Sequence, residues 1–200
     1  MEELLTGISK LFKKCGIKCI NMDDIARELG ISKKTLYQHF ENKNEVIYKV
    51  IQYEMQSECN DLHKLFTLYP NAIDQLHFIS KYVLIKLYNL QPSLIYDINK
   101  YYPQIWGKLK NQRAEYIHTI INQNFQLGMK QGYYIENLNT DIIAVYYTFL
   151  FDIKRFEKLR EELNNDFDKM FKTLFMLHIR GIATAKGVEY LEKCFNNLKN

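Results

Sequence analysis

At 200 residues the chain is long enough for one compact body, or for a small domain joined to a larger one. Its composition is that of an ordinary soluble globular protein, 47% apolar and 25% charged, with three prolines, eight glycines and no internal repeat or low-complexity tract. The net charge of +4 is spread thinly, nine Lys/Arg against seven Asp/Glu in residues 1–50 and eighteen against sixteen beyond, so any nucleic-acid footprint must lie in local placement.

Few chain breakers and abundant Leu, Ile, Lys and Glu favour helices over strands. Leu4, Leu5, Ile8, Leu11 and Phe12 are spaced as one apolar face of a first helix over residues 2–14, ended near Gly16. Asn21 caps a second helix with Ile25, Ala26 and Leu29 inward, and Gly30 stops it. Ser32 caps a third, Lys33 to Phe40. Asn42 with Glu45 three residues on then starts a long helix from Lys43 to about Phe66.

Beyond Pro70 the periodicity resumes at Ile73, Leu76, Phe78, Ile79, Val83 and Leu87 and stops near Pro92, with a short helix over 93–100. Pro103 opens another helix to about Gln131, with Ile105, Leu109, Tyr116, Ile120 and Leu127 inward and Gly128 and Gly132 breaking it. Thr140 is expected to cap a helix of roughly 141–160; two more follow, at about 166–180 and, after Gly187, 187–198. Nothing alternates with period two for long enough to be a strand, so the fold class is all-α. The most apolar stretch, IIAVYYTFLF at 142–151, is ten residues where a membrane span needs about 20, and reads as a core or interface helix.

Cys15, Cys19, Cys59 and Cys194 form no CxxC pair, and the N-terminus is not signal-like, so reduced thiols and a cytoplasmic location are expected. His39, His63, His77, His118 and His178 are far apart, without HExxH spacing; no phosphate-cradling glycine loop or GxSxG occurs. No catalytic residue, metal site or cofactor is expected, and an enzyme is a remote reading.

Three short helices followed by a long one, with a tight turn between the second and third, is the helix-turn-helix arrangement. Ala26 is small where two helices cross, Gly30 supplies the positive φ of the turn, and Ile31 plugs the core beneath it. At about 100° per residue, Leu36, Phe40 and Tyr37 fall on one arc of the third helix. Lys34, Thr35, Gln38 and His39 fall on the opposite arc, with Lys33 on the first turn. Such side chains suit a major groove: Gln pairs with adenine edges, Lys with guanine, and Thr touches the thymine methyl or a phosphate. Lys43, at the start of the next helix, puts a positive charge and free N–H groups beside a phosphate.

The run LFKKCGIKCINMDDIARELGISKKTLYQHFENKNEVI resembles the N-terminal DNA-binding domain of TetR-type transcriptional regulators, in the order and spacing of LF…G and DIA…GIS…LYxHFxxK. The resemblance covers about 45 residues. It implies that Lys33, Lys34, Thr35, Tyr37, Gln38 and His39 occupy recognition-helix positions that contact double-stranded DNA and that Lys43 is the phosphate-binding lysine. It also implies a helix-turn-helix domain of residues 1–46 and a helical effector-binding and dimerisation domain of residues 47–200.

Specific binding by one helix-turn-helix usually needs two half-sites read by a symmetric homodimer. The dimer is expected on the apolar 142–151 helix and the aromatic stripe after it, with Tyr146, Leu150, Phe171, Leu174, Phe175 and His178 as candidates. For the small-molecule effector the candidates are Phe78, Tyr82, Tyr102, Trp106, Tyr116 and Tyr147, with Arg113 the mid-chain cation for an acidic group. The expected function is a DNA-binding regulator, a repressor released by its ligand from a palindromic operator. The alternative is a helical small-molecule-binding protein whose DNA-binding domain has lost its specificity.

Overall fold

The computed structural model describes residues 1–89, 91–150, 162 and 166–196, and every regular element among them is an α-helix. In chain order these are α1 (Glu2–Cys15), α2 (Met22–Glu28), α3 (Lys33–His39), α4 (Lys43–Leu68), α5 (Ala72–Tyr88), α6 (Pro92–Tyr101), α7 (Pro103–Lys130), α8 (Thr140–Leu150), α9 (Phe167–Ile182) and α10 (Ala185–Asn196). The all-α expectation holds. The only β pairing among the described residues is an isolated bridge, Tyr134 to Ala183. By packing, the chain divides into one unit of Met1–Asn60 with Leu90–Arg113 and a second of Asp61–Asn89 with Ala114–Asn200.

The first unit is organised by caps and a shared core. Asn21 and Asp24 close a reciprocal capping box at α2, Asp24 N donating to Asn21 Oδ1 at 2.9 Å and Asn21 N to Asp24 Oδ2 at 3.1 Å. Gly30, at φ 65°, turns the chain, and Ile31 N returns to Ala26 O at 3.0 Å. Ser32 Oγ accepts from Thr35 N at 3.0 Å and starts α3; Asn42 Oδ1 accepts from Glu45 N at 3.1 Å and starts α4. Leu5, Ile8, Phe12, Ile17, Ile25, Ala26, Leu36, Phe40, Val46 and Ile47 are buried together, and Ile98 of α6 joins the same core. A helix from outside the helix-turn-helix is therefore one of its walls.

The second unit has a polar node inside an apolar core. Asn124 of α7 is fully buried; its Nδ2 donates to Ala72 O at 2.8 Å and Gln75 Oε1 at 3.2 Å. Tyr134 Oη donates within reach of Ala72 O (3.1 Å) and Asn124 Oδ1 (3.2 Å), and Gln75 Nε2 donates to Phe66 O at 3.0 Å. The node ties α5 and α7 to the end of α4 with each polar group paired, the condition under which burial of amides is tolerated. Burial pushes the Tyr134 phenol far above its ordinary pKa, so it stays a neutral donor.

Three expectations need correction. Gly128 does not break α7, which runs to Lys130; a Cβ there would lie 2.1 Å from the Tyr134 ring, so the residue is small to admit that ring. The cap of α8 is Asn139, whose Oδ1 accepts from Ile142 N at 3.0 Å, and Thr140 is already helical. Gly187 lies inside α10, which Thr184 starts by accepting from Gly187 N at 3.2 Å. The expected continuation of α8 over 151–160 lies outside the described residues.

Gly128→Ala is expected to cost about 1–3 kcal/mol by overpacking. That should lower the thermal midpoint by about 2–4 °C per kcal/mol in scanning calorimetry. Gly107→Ala, with nothing within 4 Å of its Cβ, should leave the midpoint level or raise it.

Burial lowers the pKa of His178 to about 4; burial first, then the charge of Lys81, lowers that of His77 to about 4. Both rings are neutral when folded, whereas in the unfolded chain they protonate near 6.5. Their contribution is thus intact above pH 6.5 and is lost as pH falls from 6.5 towards 4. The urea midpoint should decline across that window, and less so in His77→Phe; an equal decline in both proteins would show that His77 is not the group titrating.

Candidate nucleic-acid interface

The roll of α3 is set by Leu36 and Phe40, which are buried at its inner side. Lys33, Lys34, Tyr37, Gln38 and His39 are exposed, and Thr35 is half-buried. Tyr37 is 52% exposed, outside the inner arc that the phase count gave it: 100° of rotation from Leu36 carries it to the rim, where it faces solvent with Gln38.

The outer face is less uniformly cationic than its sequence. Lys33 Nζ pairs with Asp23 Oδ2 of α2 at 2.6 Å. An anion approaching Lys33 must therefore displace a carboxylate or accept its repulsion. Lys34 has no ion-pair partner among the described residues, which leaves it the freer cation of the adjacent pair. Thr35 Oγ1 lies 2.7 Å from Ser32 Oγ, so its hydroxyl is oriented by the cap. The carbonyl of His39 accepts from Lys49 Nζ at 3.3 Å, and Lys49 in turn pairs with Glu45 Oε1 at 2.7 Å. These bonds fix the junction between α3 and α4.

Lys43, in the first turn of α4, bends back across the unit. Its Nζ donates to the carbonyl of Lys18 at 3.2 Å and lies 5.9 Å from the centroid of the Tyr102 ring. The ammonium is held in place yet keeps donors to spare, since it has three. The α1–α2 loop is thereby tied to the start of α4.

The aromatic candidates of the mid-chain separate by unit. Tyr102 and Trp106 pack against the core of the first unit, and in the same unit Arg113 Nη2 pairs with Glu58 Oε1 at 3.1 Å. In the second unit Phe78 stacks on Tyr69 at 4.0 Å and 12°, and Tyr82 Oη donates to Asp61 Oδ2 at 3.0 Å. Tyr116 is half-buried there, and Tyr147 is buried with its hydroxyl hydrogen-bonded to His178 Nε2. His77, which the periodicity did not single out, sits edge-on to Phe78, Phe171 and Phe175 at 5.0–5.3 Å.

Of the residues expected at a dimer interface, Phe171 and Phe175 are buried against that imidazole within their own chain, and His178 is bonded to Tyr147. Tyr146 and Leu174 face outward, and the side chain of Leu150 lies outside the described residues. Ile142 and Val145 of α8 and Leu177 of α9, the last 71% exposed, are likewise exposed apolar residues. For Ile142, Val145 and Tyr146 this exposure could not be read from a stretch, 142–151, that is apolar on every side. Among the described residues no group of His, Cys, Asp and Glu could hold a metal ion, and no helix is long and apolar enough to cross a membrane.

Residues 4–49 match the family model described as bacterial regulatory proteins, tetR family. Over 167 residues, 82% of this chain and 76% of the relative, the sequence is 25% identical to IcaR of Staphylococcus aureus, the negative transcriptional regulator of the biofilm operon icaADBC. A TetR transcription regulator from Haloarcula marismortui superposes with a TM-score of 0.74 at 14% identity, over 92% of this chain and 97% of that one. A transcriptional regulator from Saccharomonospora viridis, solved in complex with choline, superposes with a TM-score of 0.66 at 17% identity, over 90% and 96%. The matched N-terminal motif and the relative that extends through most of the chain agree: residues 4–49 are a tetR-family DNA-binding domain, and the chain as a whole is similar to a negative transcriptional regulator in sequence and to TetR regulators in fold.

Proposed function

We propose that the protein is a repressor that binds a palindromic operator as a homodimer and is released by a small-molecule effector. One observation carries the DNA-reading half: Lys34, Tyr37, Gln38 and His39 stand exposed on one side of a short helix whose other side is pinned by Leu36 and Phe40. In this role Gln38 and Lys34 read base edges, while Thr35, Tyr37 and His39 contact the sugar-phosphate rim. Lys33 exchanges Asp23 for phosphate, and Lys43 anchors the backbone at the start of α4. A negative regulator among the relatives supports repression over activation.

The dimer rests on α8 and α9. Tyr147 and His178 are hydrogen-bonded between these helices, and the exposed apolar residues Ile142, Val145, Tyr146, Leu174 and Leu177 on the two helices support this reading. We assign residues 1–46 to DNA reading and residues 47–200 to effector binding and dimerisation. Phe78, Tyr82, Tyr116 and Tyr147 offer aromatic surface to an effector, and the choline complex of the S. viridis regulator supports a small-molecule ligand on this fold. The effector favours a conformation whose two recognition helices no longer match half-sites about 34–36 Å apart, and it acts by no more than its differential affinity for the two states. A protein that reads duplex DNA works where the DNA is, in the cytoplasm.

Selection of bound duplexes from a random pool should enrich a palindrome. Gln38→Ala should relax the preference at one base pair per half-site, by about 1–3 kcal/mol. No enriched sequence would instead favour a small-molecule-binding protein whose DNA reading has decayed. In sedimentation at micromolar concentration the protein should run at about 48 kDa, twice its 24.0 kDa, and Leu177→Glu should run as a monomer. A monomeric wild type would remove the α8–α9 interface.

A further inference from the structure

Lys18, Lys43 and Lys100 come from three separate elements and are gathered around two consecutive tyrosines. Lys18 lies in the α1–α2 loop, Lys43 in the first turn of α4 and Lys100 in the last turn of α6, all within the first unit. The loop is bound from both sides: Lys18 N donates to Asp97 Oδ2 of α6 at 3.1 Å, and Lys18 O accepts from Lys43 Nζ at 3.2 Å. The Lys18 ammonium stands 4.7 Å from the centroid of the Tyr101 ring, Lys100 stands 5.5 Å from the same ring and 4.9 Å from that of Tyr96, and Lys43 stands 5.9 Å from that of Tyr102. Burial of Ile98 in the helix-turn-helix core holds α6 in this place.

We propose that these three lysines, with the Tyr96 and Tyr101 hydroxyls, form a phosphate-binding patch that carries the DNA contact past the helix-turn-helix onto α6, where it grips the backbone of duplex flanking the half-site. The proposal rests on the DNA-reading role above. A solvated lysine face is usually unordered, whereas here each ammonium is directed by a ring or a carbonyl. Among the described residues no ion pair neutralises these three ammonium groups, and the nearby carboxylate of Asp97 already accepts from the Lys18 N–H through one oxygen. Two like charges share the Tyr101 ring, a repulsion that an anion placed between them relieves.

The phenols add donors. Lys100 Nζ donates to Tyr96 Oη, and the Lys18 ammonium lies against the Tyr101 ring. A phenol oxygen that accepts from an ammonium keeps its own hydrogen for a phosphate oxygen. Duplex DNA is the anion that fits the position: Lys43 follows the end of α3 by only a few residues, so the patch begins at the edge of the reading face and continues away from it. Phosphate contacts of this kind position a protein without reading sequence.

The test is the salt dependence of binding by the full-length protein to a mixed-sequence duplex of about 40 base pairs, between about 50 and 200 mM salt. Lys18→Gln with Lys100→Gln should flatten the slope of log K against log salt by about one to two units. The same pair should leave the base preferences selected from a random pool unchanged. Lys18→Arg with Lys100→Arg should keep the wild-type slope, and for the wild-type protein a duplex carrying the selected palindrome, trimmed to its half-sites, should reproduce the loss. An unchanged slope in the glutamine variant overturns the patch. So does an equal loss in the arginine variant, which would trace the effect to packing of the loop. A wild-type protein that binds no duplex at any salt would instead overturn the DNA-reading role itself.

Discussion

Burial of Leu36 and Phe40 is the constraint from which the rest of the site follows. A helix of seven residues is too short to persist in water on its own propensity. Its stability comes from the core it completes, and burying each such side chain contributes about 1.5–3 kcal/mol. The same two residues fix its roll, because with both facing inward Lys34, Gln38 and His39 can only face out. The Ser32 cap at one end and the Asn42 cap after the other fix where the helix begins and where the next one departs. The exposed polar face of α3 is thus a by-product of core packing.

That core is not closed by the helix-turn-helix alone. Ile98 enters it, Asp97 holds the α1–α2 loop by the Lys18 N–H, and Lys43 holds the same loop from the other side. The loop just before α2 is therefore shared between the DNA-reading helices and α6. A change in the position of α6 could not leave that loop untouched, which gives a physical meaning to the packing of α6 with residues 1–60 rather than with the rest of the chain.

The second unit solves a different problem. Its helices are long and apolar, and such surfaces pack in many ways, so directional bonds do the choosing. Asn124, Gln75 and Tyr134 set the register of α5 against α7, and Gly128 leaves room for the Tyr134 ring. Tyr147 and His178 set α8 against α9 in the same manner. A buried amide or phenol costs little when paired and much when not, so only one register is acceptable.

The helix-turn-helix, its caps and the N-terminal motif are legible in the sequence, because these depend on neighbours three or four residues apart. Asn21, Ser32, Gly30 and Asn42 act within a single turn of chain, and Leu36 and Phe40 act through helical phase. Tertiary structure alone decided what distant residues do to one another. It paired Lys33 with Asp23 and Arg113 with Glu58, and it turned Phe171 and Phe175 inward to His77 while leaving Ile142 and Leu177 outside. It also packed Tyr102 and Trp106 against the core of the first unit. In a helix apolar on every side, periodicity carries no phase, and the partner of a charge fifty residues away leaves no mark on local sequence; only packing assigns both.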